Sequence, residues 1–369
     1  MTNRSPFSDD YATAKGRFCG AAHAMGLRQE KLLVDVPKPD GSDLSIDVAF
    51  AGSEQPSRVL IVTSGLHGVE GFFGSAIQVA LLEDVLRRDG VPSGVAIVLV
   101  HALNPFGFSK IRRFDDENID LNRNFLLQGE EFKGCPDRYA ELDGLLNPRK
   151  PPRRFDPFPI RASLAIARYS LDAVKQAVAG GQYEYPLGLF FGGKGPSRTQ
   201  SLLKEQLPRW VGGAERVMHI DFHTGIGGWA EYKLLLVEAM EDRKAQLAEV
   251  FGADKVESAS TGATPSGRGK TAFEAKGDSI TWCCKEVLRD RHYVGLGAEF
   301  GTYRVIPVLA ALRAENQAHH WGKPHRPSTV RAKARLKEVF VPKDPSWRSA
   351  TLAKGVEIVQ RAIEFVSKQ

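Results

Sequence analysis

Four apolar runs in this chain each end in side chains that can do chemistry. The run at 59–65 leads into SGLHGVEG, which supplies His67 and Glu70. The run at 95–103 leads into NPFGFSKIRRFDDENIDLNRNF, which supplies Arg112, Arg113, Asn122 and Arg123. The run at 217–225 ends in HIDFHTG, with Asp221 and His223, and the run at 294–302 carries Glu299 in GAEFGT. Two imidazoles and one carboxylate make the donor set of a catalytic zinc site, with a fourth position left for water. His67 and Glu70 are close enough to chelate from one turn, and His223 must come from a distant strand. Bound zinc acidifies its water and polarises a carbonyl. A carboxylate outside the donor set, Glu299, can then take the water proton and return it to a leaving amine. Of two arginines, one can stabilise a developing oxyanion and the other can join an asparagine in clamping a carboxylate.

Taken singly, each residue has an ordinary structural reading. A histidine at a strand end is commonly just hydrogen-bonded, and Glu299 could be half of an ion pair. The joint occurrence at four strand ends argues for chemistry, because in open α/β sheets ligands bind beyond the carboxyl ends of the strands. Asp221 precedes His223 by two, so on a strand both face one side. It either orients the histidine or is a plain buried carboxylate.

These motifs resemble the zinc carboxypeptidase superfamily. The likeness rests on HGVE at 67–70, Asn104–Pro105, DLNRNF at 120–125, DFHTG around His223, and Glu299 before Gly301–Thr302, and it spans about 45–320. It implies His67, Glu70 and His223 as ligands of one zinc ion per chain, and Glu299 as general base and acid. It implies Asn122 and Arg123 as the holders of a substrate carboxylate and Arg113 as the carbonyl-polarising arginine, with the adjacent Arg112 as the alternative. The short spacing from Arg113 to Asn122–Arg123 and the DFHT element are similar to the deacylase branch, which includes aspartoacylase and succinylglutamate desuccinylase. Val69 stands where many digestive carboxypeptidases carry Arg, and no tyrosine matches their mobile one. The implied activity is zinc-dependent hydrolysis of an amide C–N bond. The substrate is a small peptide or an N-acyl amino acid with a free carboxylate; a metal-binding scaffold without activity is the non-enzymatic alternative.

The elements that must position these residues follow from the pattern. Apolar strands at 44–50, 59–65, 95–103, 217–225, 232–239 and 294–302 alternate with helical spacing near 8–26, 71–88, 161–179, 242–251, 280–290, 304–321 and 347–367. That predicts an α/β fold, a mainly parallel mixed sheet with helices on both faces, with Ser8 as N-cap of the first helix. The organisation expected is an N-terminal helical extension at 1–30, a catalytic domain at 31–322 with an insertion at about 126–215, and a C-terminal extension at 323–369. Within the insertion, 126–160 reads as irregular. The stretch Arg326–Lys337 reads as a solvated tail. Residues 257–279 read as a mobile loop in which Arg268 or Lys270 could touch an anionic substrate; its likeness to a phosphate loop fails because Thr264 stands where the pattern needs Gly. Cys283, Cys284, Trp229, Trp282 and Trp321 read as packing residues.

Composition bounds the rest. The 369 residues carry 50 Lys+Arg and 44 Asp+Glu, a net +6 with both signs interspersed, so nucleic acid is not expected as a partner. The four cysteines form no zinc-knuckle or disulfide spacing, and no run reaches the roughly 20 apolar residues of a membrane span. A cytoplasmic location is expected, away from the membrane. No GxSxG elbow occurs, which argues against a serine hydrolase.

Overall fold

Eight strands form one sheet in the computed structural model, which describes residues 5–36, 43–170, 174, 177–178, 180–259 and 276–368. The strands are β1 (Arg28–Leu33), β2 (Ser45–Gly52), β3 (Arg58–Ser64), β4 (Val95–His101), β5 (Arg216–Thr224), β6 (Tyr232–Val237), β7 (Val256–Ala259) and β8 (His292–Phe300). Their order is β1-β2-β4-β3-β5-β8-β6-β7. The four central strands β4, β3, β5 and β8 run parallel, while β1, β2 and β6 pair antiparallel at the flanks. β3 and β4 are buried along nearly their whole length, apolar at 59–62 and 95–100, because layers cover both faces. The sheet is mainly parallel and mixed, as the strand pattern predicted.

Alternation along β5 divides its side chains between the two layers. On one face Phe222 meets Phe73 of the helix Gly71–Ala80, and Gly355 of the helix Pro345–Lys368 lies against Phe222. On the other face His219 meets Tyr293, next to Cys283. The chain runs from β3 to β4 on one side and then crosses to β5 on the other. In such sheets ligands bind beside this switch, at the carboxyl ends of the strands, here β3, β5 and β8.

Both chain ends pack into the same core. Phe18 of the helix Tyr11–Ala24 stacks on His101, and Trp347 is fully buried with its indole N–H on the Gly301 carbonyl at 2.9 Å. The first helix is capped by Asp10, whose carboxylate accepts from Thr13 N at 2.8 Å, rather than by Ser8. The stretch read as a solvated tail is instead the helix Pro327–Phe340, which buries Ala332, Leu336, Val339 and Phe340 between its basic residues. The region 126–160 includes a helix at Tyr139–Leu146, and a further helix, Arg198–Val211, lies in the insertion. Trp282 is buried, as read, whereas Trp229 is 42% exposed with its ring edge against Tyr303. Residues 260–275, including Thr264, Arg268 and Lys270, lie outside the described residues. No helix among the described residues is long and apolar enough to cross a membrane.

Candidate metal centre

A tight turn carries two of the three expected donors. After β3 the chain makes one helical turn at Gly68–Glu70 and enters the helix Gly71–Ala80. The turn is pinned from outside: Gly68 N and Val69 N donate to the carbonyls of Arg113 and Arg112 at 3.1 and 2.7 Å. Asn104 holds the other side, capping Gly107 N at 2.8 Å and donating to Arg113 O at 3.2 Å. The fit leaves no room for a side chain at 68, where a Cβ would stand 2.1 Å from the Gly107 carbonyl carbon. Gly68→Ala is therefore expected to push the turn off its seat, with stability lost by about 3 kcal/mol and zinc bound at least tenfold more weakly. Thermal melts and zinc titration of the variant would check both.

His67 and Glu70 from this turn meet His223 from the end of β5. His67 Nδ1 lies 3.0 Å from Glu70 Oε1, His223 Nδ1 lies 3.2 Å from Glu70 Oε2, and the two Nδ1 atoms are 3.3 Å apart. Donors bound tetrahedrally to zinc at 2.0–2.1 Å stand about 3.3 Å from one another. Each imidazole thus stands at that spacing from the other and from one oxygen of Glu70, His67 facing Oε1 and His223 facing Oε2, and one ligand atom from each residue lies within 4.8 Å of the others. Among the described residues, this is the one group of three such side chains whose ligand atoms come together.

The far nitrogens complete the fit. His223 Nε2 lies 2.7 Å from Asp221 Oδ2, and His67 Nε2 lies 3.1 Å from Asp120 Oδ1. A carboxylate on the outer nitrogen keeps the proton there and turns the Nδ1 lone pair inward. Sequence reasoning left Asp221 open between two roles, and it assigned none to Asp120. The signal for Asp120 was its place at the head of DLNRNF.

Charge is strongly organised here. Burial works to raise the pKa of Glu70, but the two facing imidazoles outweigh it and hold the carboxyl well below its ordinary range. Burial likewise opposes ionisation of Asp120, and the Arg113 guanidinium reverses that effect. Against burial, Asp221 and Glu70 push the His223 pKa up. Glu299 behaves in the opposite way. Its carboxyl is pushed up to about 7, by burial first and by the charge of Glu70 second. It sits directly across from His223 in the β5–β8 register, half-buried, and Oε1 accepts from Ile226 N at 2.9 Å.

The two adjacent arginines part company. Arg113 turns into the centre, with Nε 2.8 Å from Asp120 Oδ2, Nη1 3.2 Å from Glu70 Oε1 and Nη2 2.7 Å from His67 Nε2. Arg112 turns away and is fully buried, with Nη2 on Asn118 Oδ1 at 2.8 Å and Nε 3.3 Å from Glu315 Oε1. The structure does not bring Arg112 to the cluster. Asn122 and Arg123 lie in the turn just after Asp120. Asn122 Oδ1 accepts from Ser279 N at 3.0 Å, and Arg123 is 2% exposed, close enough to Asp120 to lower its pKa. The insertion covers this turn: Tyr183 OH donates to Arg123 O at 2.8 Å, and Gly181 lies against the Arg123 side chain.

Comparisons with known proteins bear on this arrangement. Residues 7–354 match a family described as "Protein of unknown function (DUF2817)". No functionally curated protein matches the sequence. Among solved structures, thrombin activatable fibrinolysis inhibitor is similar at 10% identity and TM-score 0.55, over 100% of this chain and 77% of that one. The bovine form of that protein, in complex with tick carboxypeptidase inhibitor, is similar at 11% identity and TM-score 0.54, over 98% of each chain. Carboxypeptidase A from Helicoverpa armigera is similar at 10% identity and TM-score 0.46, over 89% of this chain and 73% of that one. At these identities the likeness concerns the fold, which is carboxypeptidase-like, as the motifs implied.

Proposed function

The chain belongs to the DUF2817 family, and we propose that it is a zinc-dependent hydrolase of amide C–N bonds, of the metallocarboxypeptidase type. The observation that carries this reading is the convergence of His67, Glu70 and His223, the two Nδ1 atoms 3.3 Å apart and each within 3.0–3.2 Å of one oxygen of the Glu70 carboxylate, with Glu299 facing His223 from the next strand. A metal-binding scaffold would need the donors but would have no use for a carboxyl tuned to about 7 beside them.

A zinc ion held by His67, Glu70 and His223 supplies Lewis acidity, which polarises a carbonyl and acidifies water. Glu299 takes a proton from the attacking water and delivers it to the leaving nitrogen. Burial, the first cause of its raised pKa in the metal-free protein, favours the protonated carboxyl that returns a proton to the leaving nitrogen. Asn122 and Arg123 hold the substrate carboxylate, which sets the scissile carbonyl against the centre. Arg113 faces the developing oxyanion. In the described geometry Asp120 and Arg113 compete for His67 Nε2, since a proton there suits the carboxylate and excludes the guanidinium. With Nδ1 serving as a ligand, His67 would carry its proton on Nε2 toward Asp120, which would leave Arg113 Nη2 for substrate and Nε on Asp120.

Zinc content after purification, followed by a substrate panel on metal-loaded protein, tests the proposal. The panel sets C-terminal peptides beside N-acyl amino acids, which use the same machinery. Turnover of either class that is lost with chelator and restored by zinc supports it. Absence of stoichiometric divalent metal, with no gain on reconstitution, would sink it.

Glu299 also leaves a signature in the metal-free protein. Its folded pKa of about 7 exceeds the ordinary carboxyl value of 4.5, so the folded state holds the proton more tightly than the unfolded state. Stability is therefore fully present below about 4.5 and falls as pH rises through 7. The loss is on the order of 2 kcal/mol, allowing for solvent at the half-open edge. Metal-free Glu299→Gln should accordingly melt above metal-free wild type at pH 8 and with it at pH 4.5. Equal melting temperatures at both pH values would contradict this.

A further inference from the structure

A column of buried polar groups runs down the sheet from His223, and beyond Asp221 the proposed chemistry uses none of it. His219, Asp221 and His223 share one face of β5. The register sets Thr63 of β3 beside Asp221, and Gly295 of β8 beside His219. Thr63, His219, Asp221 and Tyr293 are all buried.

The sense of each hydrogen bond follows from a single proton. Thr63 Oγ1 donates to Asp221 Oδ1 at 2.6 Å. A hydroxyl has only one proton to give, so in the 2.9 Å contact of Thr63 Oγ1 with His219 Nε2 the donor is Nε2–H. His219 is neutral, since burial pushes its pKa down to about 4. Its Nδ1 is then a lone pair, and the Tyr293 hydroxyl, 2.8 Å away, donates to it. Glycine at 295 makes this reach available, because a Cβ there would stand 2.7 Å from Tyr293 Oη. The column ends at Asp221 Oδ2, 2.7 Å from His223 Nε2.

We infer that Tyr293, His219 and Thr63 are positioning residues for the metal: their hydrogen bonds run in one sense and fix Asp221 so that His223 keeps its proton on Nε2 and presents Nδ1 as a ligand. This rests on the metal reading above. Without the Tyr293 hydroxyl, His219 is free to carry its proton on Nδ1. Nε2 then becomes an acceptor and competes with Asp221 for the one Thr63 proton. Asp221 is loosened, and with it the imidazole that it orients. The phenol thus acts on the metal four hydrogen bonds away, and only through Thr63.

Metal affinity, rather than turnover, is the readout. Zinc dissociation constants are measured by competition with a chromophoric chelator, at a temperature where every variant is folded. Thr63→Val, which keeps the shape and removes the hydroxyl, is expected to weaken binding about tenfold, and Thr63→Ser to restore it. Tyr293→Phe is expected to weaken binding about threefold. The double variant Thr63→Val/Tyr293→Phe should then bind like Thr63→Val alone, about tenfold weaker, and not show the roughly thirtyfold loss of two independent effects. Folded variants that bind as tightly as wild type, or losses that simply multiply, overturn the inference alone. Wild-type protein that takes up no zinc overturns the metal reading and this inference with it.

Discussion

Glu299→Gln is expected to lower kcat by about 10³-fold while zinc stays bound at wild-type stoichiometry. The substitution changes little else. Glutamine has the same shape, and its Oε1 can still accept from Ile226 N, the contact that now fixes the carboxyl at 2.9 Å. The three donors do not include residue 299, so the metal has no reason to leave. What is lost is the proton acceptor, and the amine then departs without the proton it needs. KM should move little, because Asn122 and Arg123, proposed to hold the substrate carboxylate, lie on a different turn. Steady-state kinetics on the best panel substrate, with zinc measured on the same sample, would show the pattern. Undiminished turnover would place the base elsewhere.

The site was legible where chemistry coincides with strand ends. β3 and β8 are largely apolar runs and β5 alternates apolar residues with buried polar ones, so their ends, and with them His67, Glu70, His223 and Glu299, could be placed from sequence. The side-by-side position of His223 and Glu299 is a matter of strand order, which a run of apolar residues does not state. Hydrogen bonds were less visible. Asp120 and Thr63 are ordinary residues in the chain, and their parts follow from register and from the fold of the 112–123 segment. Arg112 and Arg113 show the limit most clearly. They follow Ile111, whose φ of +52° ends the helix Pro105–Lys110 in the left-handed region, so no helical or strand period survives to say which arginine points inward. The helix Pro327–Phe340 was read as a tail because four basic residues interrupt its apolar spacing. Its buried stripe at 332, 336, 339 and 340 still has a helical period. β1 was missed because it is an edge strand without apolar alternation, its Arg28 and Lys31 exposed and its Glu30 half-buried against Arg209.

Arg112 leads to the second large expectation, which concerns stability rather than turnover. Its guanidinium is fully buried, and the facing carboxylate of Glu315 is buried as well. Glu315 also takes the Lys333 ammonium, so one carboxylate balances two cations. Two Arg112 nitrogens and Glu315 Oε2 have no hydrogen-bond partner among the described residues, so the cluster is satisfied by charge more than by hydrogen bonds. Removing the shared carboxylate is costly. Glu315→Ala should destabilise the protein by about 3–5 kcal/mol, because it strands two cations in a low-dielectric interior, and melting should fall by roughly 4–7 °C. Arg112→Met should cost less, since Glu315 then still pairs with Lys333. Combining Arg112→Met with Glu315→Leu should recover part of the loss, because Lys333 can reach water along its stem while the other two become apolar. Denaturant melts order the three variants, and kinetics on the folded fraction separate this role from substrate binding. Arg112→Met that kept full stability but raised KM tenfold would return the residue to the substrate. The expected order, with KM unchanged, makes Arg112 the anchor of the Gly68–Glu70 turn, through the carbonyl that accepts Val69 N, and leaves Arg113 to face the reaction.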